Sequence, residues 1–399
     1  MAKIRCPFCF ESFGLQDVHF RCIEPHCQGW AQDRIYAEKR GLPPDRKGHV
    51  FGAQADAQRR LLGTLSARCD VCQKESDTRL CPECHFELSH DAGQVPQKTI
   101  AVVGGRFTGK SHYIASVIAA LSNEVGANFH LAVRLLGDDT QIRWEQDFYR
   151  PLFEKKIRLQ PTQPGEVNAS VKAPLALRLT FHNGLWKQVL NISVFDTSGE
   201  DMLRSASMKT QARYIPHADG IIFLIDPLQL VSIRQLLPSV QDSTLDTQAH
   251  PDRVLRPLIE LLEMKRKADP LRRLLAMRGG IMSKFSLPVA FTLSKTDVLE
   301  PILAPGSPLA RASEHSESVN LTDMQSISTE VEHSLRRWGL QGFCENVVHN
   351  FSHYQYFGVS SLGYQPEEHS QVVTNPLRVE DPLLWLLYKM NFVPGKKLT

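Results

Sequence analysis

No stretch of the 399-residue chain approaches the roughly 18 consecutive apolar residues that a membrane span needs. The amino terminus, MAKIRCPFCF, also lacks the apolar centre of a secretory leader, so the expected setting is the cytoplasm. Nor does charge of one sign dominate: 46 Lys plus Arg face 43 Asp plus Glu, a formal balance of +3. That is too small for a general nucleic-acid or membrane footprint. A hydrophobic fraction of 42% is that of an ordinary globular protein and, at this length, suffices for the cores of two or three domains.

The same reducing setting decides what nine cysteines mean, since it favours zinc over disulfides. Eight of them fall at Cys6-x-x-Cys9, Cys22 and Cys27, Cys69-x-x-Cys72 and Cys81-x-x-Cys84, the spacings of zinc knuckles and ribbons. Taken in chain order they predict one site from Cys6, Cys9, Cys22 and Cys27 and a second from Cys69, Cys72, Cys81 and Cys84. A cross-braced arrangement, Cys6 and Cys9 with Cys69 and Cys72, is the runner-up. His26 and His85 each adjoin a cysteine and are expected to face solvent, with ligation as their alternative. Four thiolates leave no position for water, so the two zinc ions are expected to fold the segment and not to catalyse. Residues 1–98 carry near-equal numbers of basic and acidic residues, and thiolates make that balance negative. The amino-terminal part therefore reads as a protein-docking module and not as a nucleic-acid binder. Residues 1–90 are expected to hold both zinc sites with an intervening helix near Phe51–Leu65, and 91–98 to be a linker.

Residues 99–118, TIAVVGGRFTGKSHYIASVI, run from an apolar strand through a glycine-bounded loop into a helical pattern. The order Gly104, four residues, Gly109, Lys110, Ser111 is that of a phosphate-binding loop. Glycine lets backbone N–H groups curl around phosphate oxygens, the helix start adds positive dipole, Lys110 reaches the β and γ phosphates, and Ser111 takes a magnesium ion. Gly105, Arg106, Phe107, Thr108 and His112 complete the predicted nucleotide-contacting stretch.

Beyond it the pattern predicts a strand near Phe129–Leu136, a helix capped by Asp138 or Asp139, a polar segment at 160–174, and a hairpin about Asn183-Gly184. The second hairpin strand runs into DTSG, placing Asp196 at a strand end and Gly199 three residues on, an arrangement that binds magnesium and senses a γ phosphate. ADGIIFLID and SLPVAFTL read as buried parallel strands. The latter ends in Ser294-Lys295-Thr296-Asp297, where a carboxylate can accept both N1–H and the exocyclic amine of guanine while the lysine stem lies along the base. A helix capped by Thr322 and ended by Gly339, a buried thiol at Cys344, and a last strand ending in Ser360-Ser361-Leu362 follow; the backbone N–H groups of that tripeptide can reach the guanine oxygen. DPLLWLLYKM closes the chain as an apolar helix.

The ordered set GGRFTGKS, DTSG, SKTD and SSL resembles the motif pattern of Ras-like GTPases in the translation-factor-related class of P-loop proteins. The insertions and the preceding zinc ribbons are more similar to prokaryotic stand-alone GTPases, including those encoded in multi-protein conflict or defence systems, than to eukaryotic small GTPases. The resemblance implies an α/β GTPase domain over 99–399, with a mostly parallel sheet, helical insertions at about 123–160, 228–285 and 300–350, and the small zinc-ribbon domain before it. It implies GTP or GDP with Mg2+ as cofactors, protein partners at the ribbons and switch loops, and Thr162 as the switch threonine that joins Ser111 and Asp196 at magnesium. Thr140 is a less suitable candidate because it lies in a helical pattern. The catalytic set so implied is Lys110, Thr162, Gly199, Glu200 and Arg106. Glu200 stands where many members have glutamine and can either act as base or repel the γ phosphate, while Arg106 replaces a common glycine and either adds positive charge or blocks a partner's arginine. Two further readings stand beside a slow GTPase switch: a GTP-gated scaffold that does not hydrolyse, and an RNA- or ribosome-associated GTPase, against which the charge argues.

Overall fold

The computed structural model describes residues 3–40, 48–52, 66–160, 174–183, 186–196, 214–237, 246, 249–268, 284–364, 372 and 374–397. Thr162, Gly199 and Glu200 lie outside the described residues, as do Gly184 of the hairpin turn and most of the stretch at Phe51–Leu65. Phe51 itself is in a strand, His49–Gly52.

One seven-stranded sheet organises the larger part of the chain. Its strands in chain order are β1 Gln97–Gly104, β2 Leu131–Leu135, β3 Leu175–Asn183, β4 Trp186–Asp196, β5 Gly220–Ile225, β6 Val289–Leu293 and β7 Tyr354–Gly358. Across the sheet they lie β7-β6-β5-β1-β4-β3-β2. Neighbours from β7 to β4 are parallel, and β3 is antiparallel to both β4 and β2. Period-two alternation sorts the side chains into two cores. Ala101, Val103, Ile221, Phe223 and Ile225 face one, and Ile100, Val102, Ile222 and Leu224 face the other. Helices α1 Lys110–Ser122 and α5 Asp381–Lys389 cover the second face. The first is covered by α2 Pro251–Ala268, α3 Leu321–Leu335 and α4 Gln341–Asn350, where Ile327, Val331 and Leu335 repeat every four residues on one stripe of α3.

Several local details differ from the sequence pattern. The helix at Asp138–Arg143 is preceded by Gly137, with no side-chain cap from either aspartate, and continues as a wide π-helical stretch, Trp144–Glu154. Asn320, not Thr322, caps α3, its carboxamide oxygen accepting from both Thr322 and Asp323 N–H. Gly339 does end that helical run, with φ +92°, and the Cys344 thiol is buried. Among the described residues, no helix is long and apolar enough to cross a membrane.

The amino-terminal module corrects the grouping of cysteines. Cys6, Cys9, Cys81 and Cys84 form one cluster, and Cys22, Cys27, Cys69 and Cys72 the other, so neither the sequential nor the cross-braced pairing holds. The cause is strand direction. Strand His19–Cys22 pairs antiparallel with Arg79–Leu80, His19 opposite Leu80, which sends Cys22 toward the 69–72 turn and Cys81 toward the 6–9 turn. Local C-x-x-C spacing specifies a turn but not its partner. The module is held to the larger part of the chain by Asp91, just after it, which pairs with Arg178 Nη2 of β3 at 2.5 Å, and by Tyr36, whose hydroxyl donates to Asp139 Oδ2 of the helix Asp138–Arg143 at 2.8 Å.

Candidate nucleotide site and metal centres

The carboxyl ends of β1, β4, β5, β6 and β7 share one edge of the sheet, where β1 lies between β4 on one side and β5 on the other. Crevices of that kind are where open α/β sheets bind ligands. The loop Gly104–Gly109 fills it. Gly109 has φ +85°, a left-handed conformation that starts α1 without strain only for glycine. Gly105 is needed for a different reason: a Cβ there would lie 2.7 Å from Ala249 Cα.

Lys110 is buried, and its Nζ donates to Gly104 O at 3.0 Å and Gly105 O at 2.7 Å, so the ammonium is drawn across the start of the loop. Ser111 Oγ donates to Asp196 Oδ2 at 2.7 Å. Two residues 85 positions apart are thus brought into contact, and their oxygens are the hard donors that suit magnesium. Thr108 Oγ1 closes the loop on Gly105 O at 3.0 Å. Arg106 and Phe107 stand exposed at the tip, the guanidinium 4.8 Å from the ring centroid. His112 does not point to the loop mouth chemically: its Nε2 accepts from Leu159 N–H at 3.2 Å. Burial, with Arg158 and Lys295 nearby, lowers its pKa to about 4, so the ring stays neutral.

On the other side of the crevice, Asp297 receives a hydrogen bond from Ser360 Oγ. Burial raises its pKa above the ordinary 3.8, with that bond opposing the rise. Ser360 takes a role other than the one expected, because its backbone N–H donates to Leu377 O at 3.0 Å. Its hydroxyl bonds the Asp297 carboxylate instead. Ser361 O is tied to α1 by Ser116 Oγ at 2.8 Å, joining the loop after β7 to the helix that follows the glycine loop. Ser294 fastens its loop to the end of β5, its N–H donating to Ile225 O at 2.8 Å.

Sequence reasoning passed over Asp226, treating it as the end of an apolar run. Its side chain is fully buried, with Oδ1 accepting from Leu228 N–H at 3.0 Å and Oδ2 from Lys295 Nζ at 2.7 Å. Lys295 adopts φ +54° and is aimed by this carboxylate. The available signal was a carboxylate following a strand of six buried residues, a place that charge occupies only with a partner.

Both cysteine clusters fit a tetrahedral ion. Sulfurs lie 3.6 Å apart for Cys6–Cys84 and Cys9–Cys81, and 3.5 and 3.8 Å apart for Cys22–Cys72 and Cys27–Cys69. A tetrahedron with Zn–S bonds of about 2.3 Å has edges of about 3.8 Å, whereas a disulfide is about 2.05 Å. Burial pushes the Cys6 thiol well above its ordinary pKa and Cys22 up to about 12, so a cation is what would let all four sulfurs in each cluster ionise. Three of the turns are alike: Phe10, Gln73 and His85, each following the second cysteine, have φ of 66°, 61° and 54° and donate N–H to Cys6, Cys69 and Cys81 O respectively. Such a backbone costs a non-glycine residue about 1–2 kcal/mol, which the N–H bond closing each turn offsets in part. His85 is neither a ligand nor solvent-facing; it is buried, and its Nδ1 meets Asp33 Oδ1 at 2.8 Å. His26 is exposed.

Residues 98–338 match the model of the Double-GTPase 2 family. The chain is also 26% identical over 317 residues to a Mycolicibacterium smegmatis protein provisionally named ESX-1 scaffolding and assembly protein SaeC, covering 77% of this chain and 78% of that one.

Proposed function

The chain belongs to the Double-GTPase 2 family, and from that premise we propose that it is a cytoplasmic, magnesium-dependent GTP-binding switch whose nucleotide state controls protein partners held at the zinc module. The observation that carries this is the meeting of Ser111 and Asp196 at 2.7 Å beside the buried ammonium of Lys110. A loop lysine, a metal-holding hydroxyl and a carboxylate from the adjacent strand serve a nucleotide triphosphate better than any smaller anion. In this reading Lys110 neutralises β and γ oxygens, Ser111 and Asp196 hold magnesium with Thr162, and Gly199 N–H senses the γ phosphate. A bound magnesium ion would supply charge neutralisation between the β and γ phosphates.

Guanine is selected by Asp297, kept in place by the Ser360 hydroxyl, with Lys295 laid along the base by Asp226. Hydrolysis, with water as nucleophile and Glu200 beside it, is slow without a partner. A second reading, a GTP-gated scaffold without turnover, is favoured by the name of the M. smegmatis relative. Titration of purified protein with GTP, GDP and ATP, with and without Mg2+, followed by single-turnover phosphate release, separates the possibilities. Selective Mg-GTP binding lost in Lys110→Ala is the expected result. Equal affinity for ATP would overturn the proposal, and tight GTP binding without release, unchanged in Glu200→Gln, would favour the scaffold.

A further inference from the structure

We propose that Phe10, carried on the first zinc turn, is a positioning residue for Asp196 in the nucleotide site. This deepens the guanine-nucleotide reading above and rests on it. Phe10 follows Cys9 immediately, in the left-handed backbone conformation that the turn requires. Its ring leaves the module altogether: it is 6% exposed and belongs to the core beneath the main sheet. There it stands 5.7 Å from the ring of Phe195 and stacks parallel to His217 at 5.0 Å. Phe195 is bonded directly to Asp196 and stacks in turn on Tyr214 at 4.4 Å. Arg5, from the same hairpin as the turn, donates to His217 O at 3.3 Å.

The wedge therefore braces both flanks of residues 197–213 at once, the strand that delivers Asp196 and the turn at Tyr214–His217. The module's other anchors, Asp91 to Arg178 and Tyr36 to Asp139, lie on different elements and hold its seat independently of Phe10. A side chain with that seat behind it can fix where Asp196 presents its carboxylate to Ser111. An ordinary packing residue of the module behaves differently: Phe8, on the same turn, stacks on Phe86 at 5.5 Å within the module itself.

The test uses the full zinc-loaded chain and the variants Phe10→Ala, Phe10→Tyr and Phe8→Ala, each checked for two zinc ions per chain. Hydrogen exchange without nucleotide reads the flanks directly. Phe10→Ala is expected to speed exchange at residues 194–196 and 214–218 about tenfold, while Phe10→Tyr stays near wild type and Phe8→Ala leaves those amides unchanged. Mg-GTP affinity is expected to fall about tenfold in Phe10→Ala, with GDP affinity changed by less than about twofold, because the magnesium-bound γ phosphate depends most on Asp196. Unchanged exchange and affinity in Phe10→Ala with both zinc ions retained would overturn the proposal, as would an equal effect from Phe8→Ala. If wild-type protein binds no guanine nucleotide although the flanks respond to Phe10→Ala, the nucleotide reading fails and the positioning role with it, while the wedge itself stands.

Discussion

Gly109 and Gly105 are both glycines of one loop, yet they resist substitution for different reasons. Nothing lies within 4 Å of a Cβ built at Gly109, so Gly109→Ala meets only its backbone cost, about 1–2 kcal/mol. Gly105→Ala collides with the backbone of Ala249 and is expected to lower the melting temperature more, with nucleotide binding lost in both variants. The proposed choice of nucleotide is tested at Asp297. Asp297→Asn exchanges one acceptor for an amide donor, and affinity should pass from guanosine to xanthosine triphosphate, which has an oxygen where guanine has its amine. Because burial raises the pKa of Asp297, wild-type affinity should decline as pH falls through that raised value, earlier than an exposed aspartate would cause. His112 adds a stability effect in a separate window. A histidine held neutral, with a folded pKa of about 4 against an ordinary 6.5, contributes stability that is full above pH 6.5 and is lost as pH falls toward 4. Melting curves across that range should fall less steeply for His112→Gln, which can still accept from Leu159 N–H.

The metal-binding turns make the prediction proper to elements. Cys6→Ser and Cys81→Ser act on the same cluster, so each single variant and the double variant should retain one zinc ion per chain by metal analysis. A chain-order pairing would cost the double variant both ions. How much of this was legible follows from the range over which residues speak to one another. The strand–loop–helix at Gly104–Ser111 was readable because strand, glycines, lysine, serine and helix are contiguous, and the hairpin and the strand that delivers Asp196 because alternation and turn chemistry are local. The cysteine turns were readable one at a time, but their partnership depends on strand His19–Cys22 meeting Arg79–Leu80, which no spacing records. Asp226 and Phe10 were missed for the same reason: one is aimed at a lysine from another strand end, the other at a ring in another domain. The function of Ser360 changed because its N–H is bonded to Leu377, a contact outside the motif.

Over the whole molecule, the segment that follows β7 is held to α3 and α5 by a buried charge cluster. Arg378, fully inside, bonds the carboxylates of Asp323 on α3 and Asp381 on α5 and the carbonyls of Arg311 and Ala312. Arg378→Ala removes the cation shared by two carboxylates, of which Asp381 keeps His315 Nε2 at 3.0 Å, and should cost about 3 kcal/mol in urea denaturation. The interlocking of the two zinc sites has a consequence in time. Cys22, Cys27, Cys69 and Cys72 form the inner site, and Cys6 and Cys9 wait for Cys81 and Cys84, Cys6 and Cys84 being 78 positions apart. During synthesis the inner site would be free to close on an ion while Cys81 is still inside the ribosomal exit tunnel. The outer one cannot, so the first cysteines to leave the ribosome are the last to be metallated. Metal uptake by a refolding chain should therefore proceed in two phases, the slower one lost in Cys6→Ser, and the contact of Phe10 with Phe195 should form with that second phase.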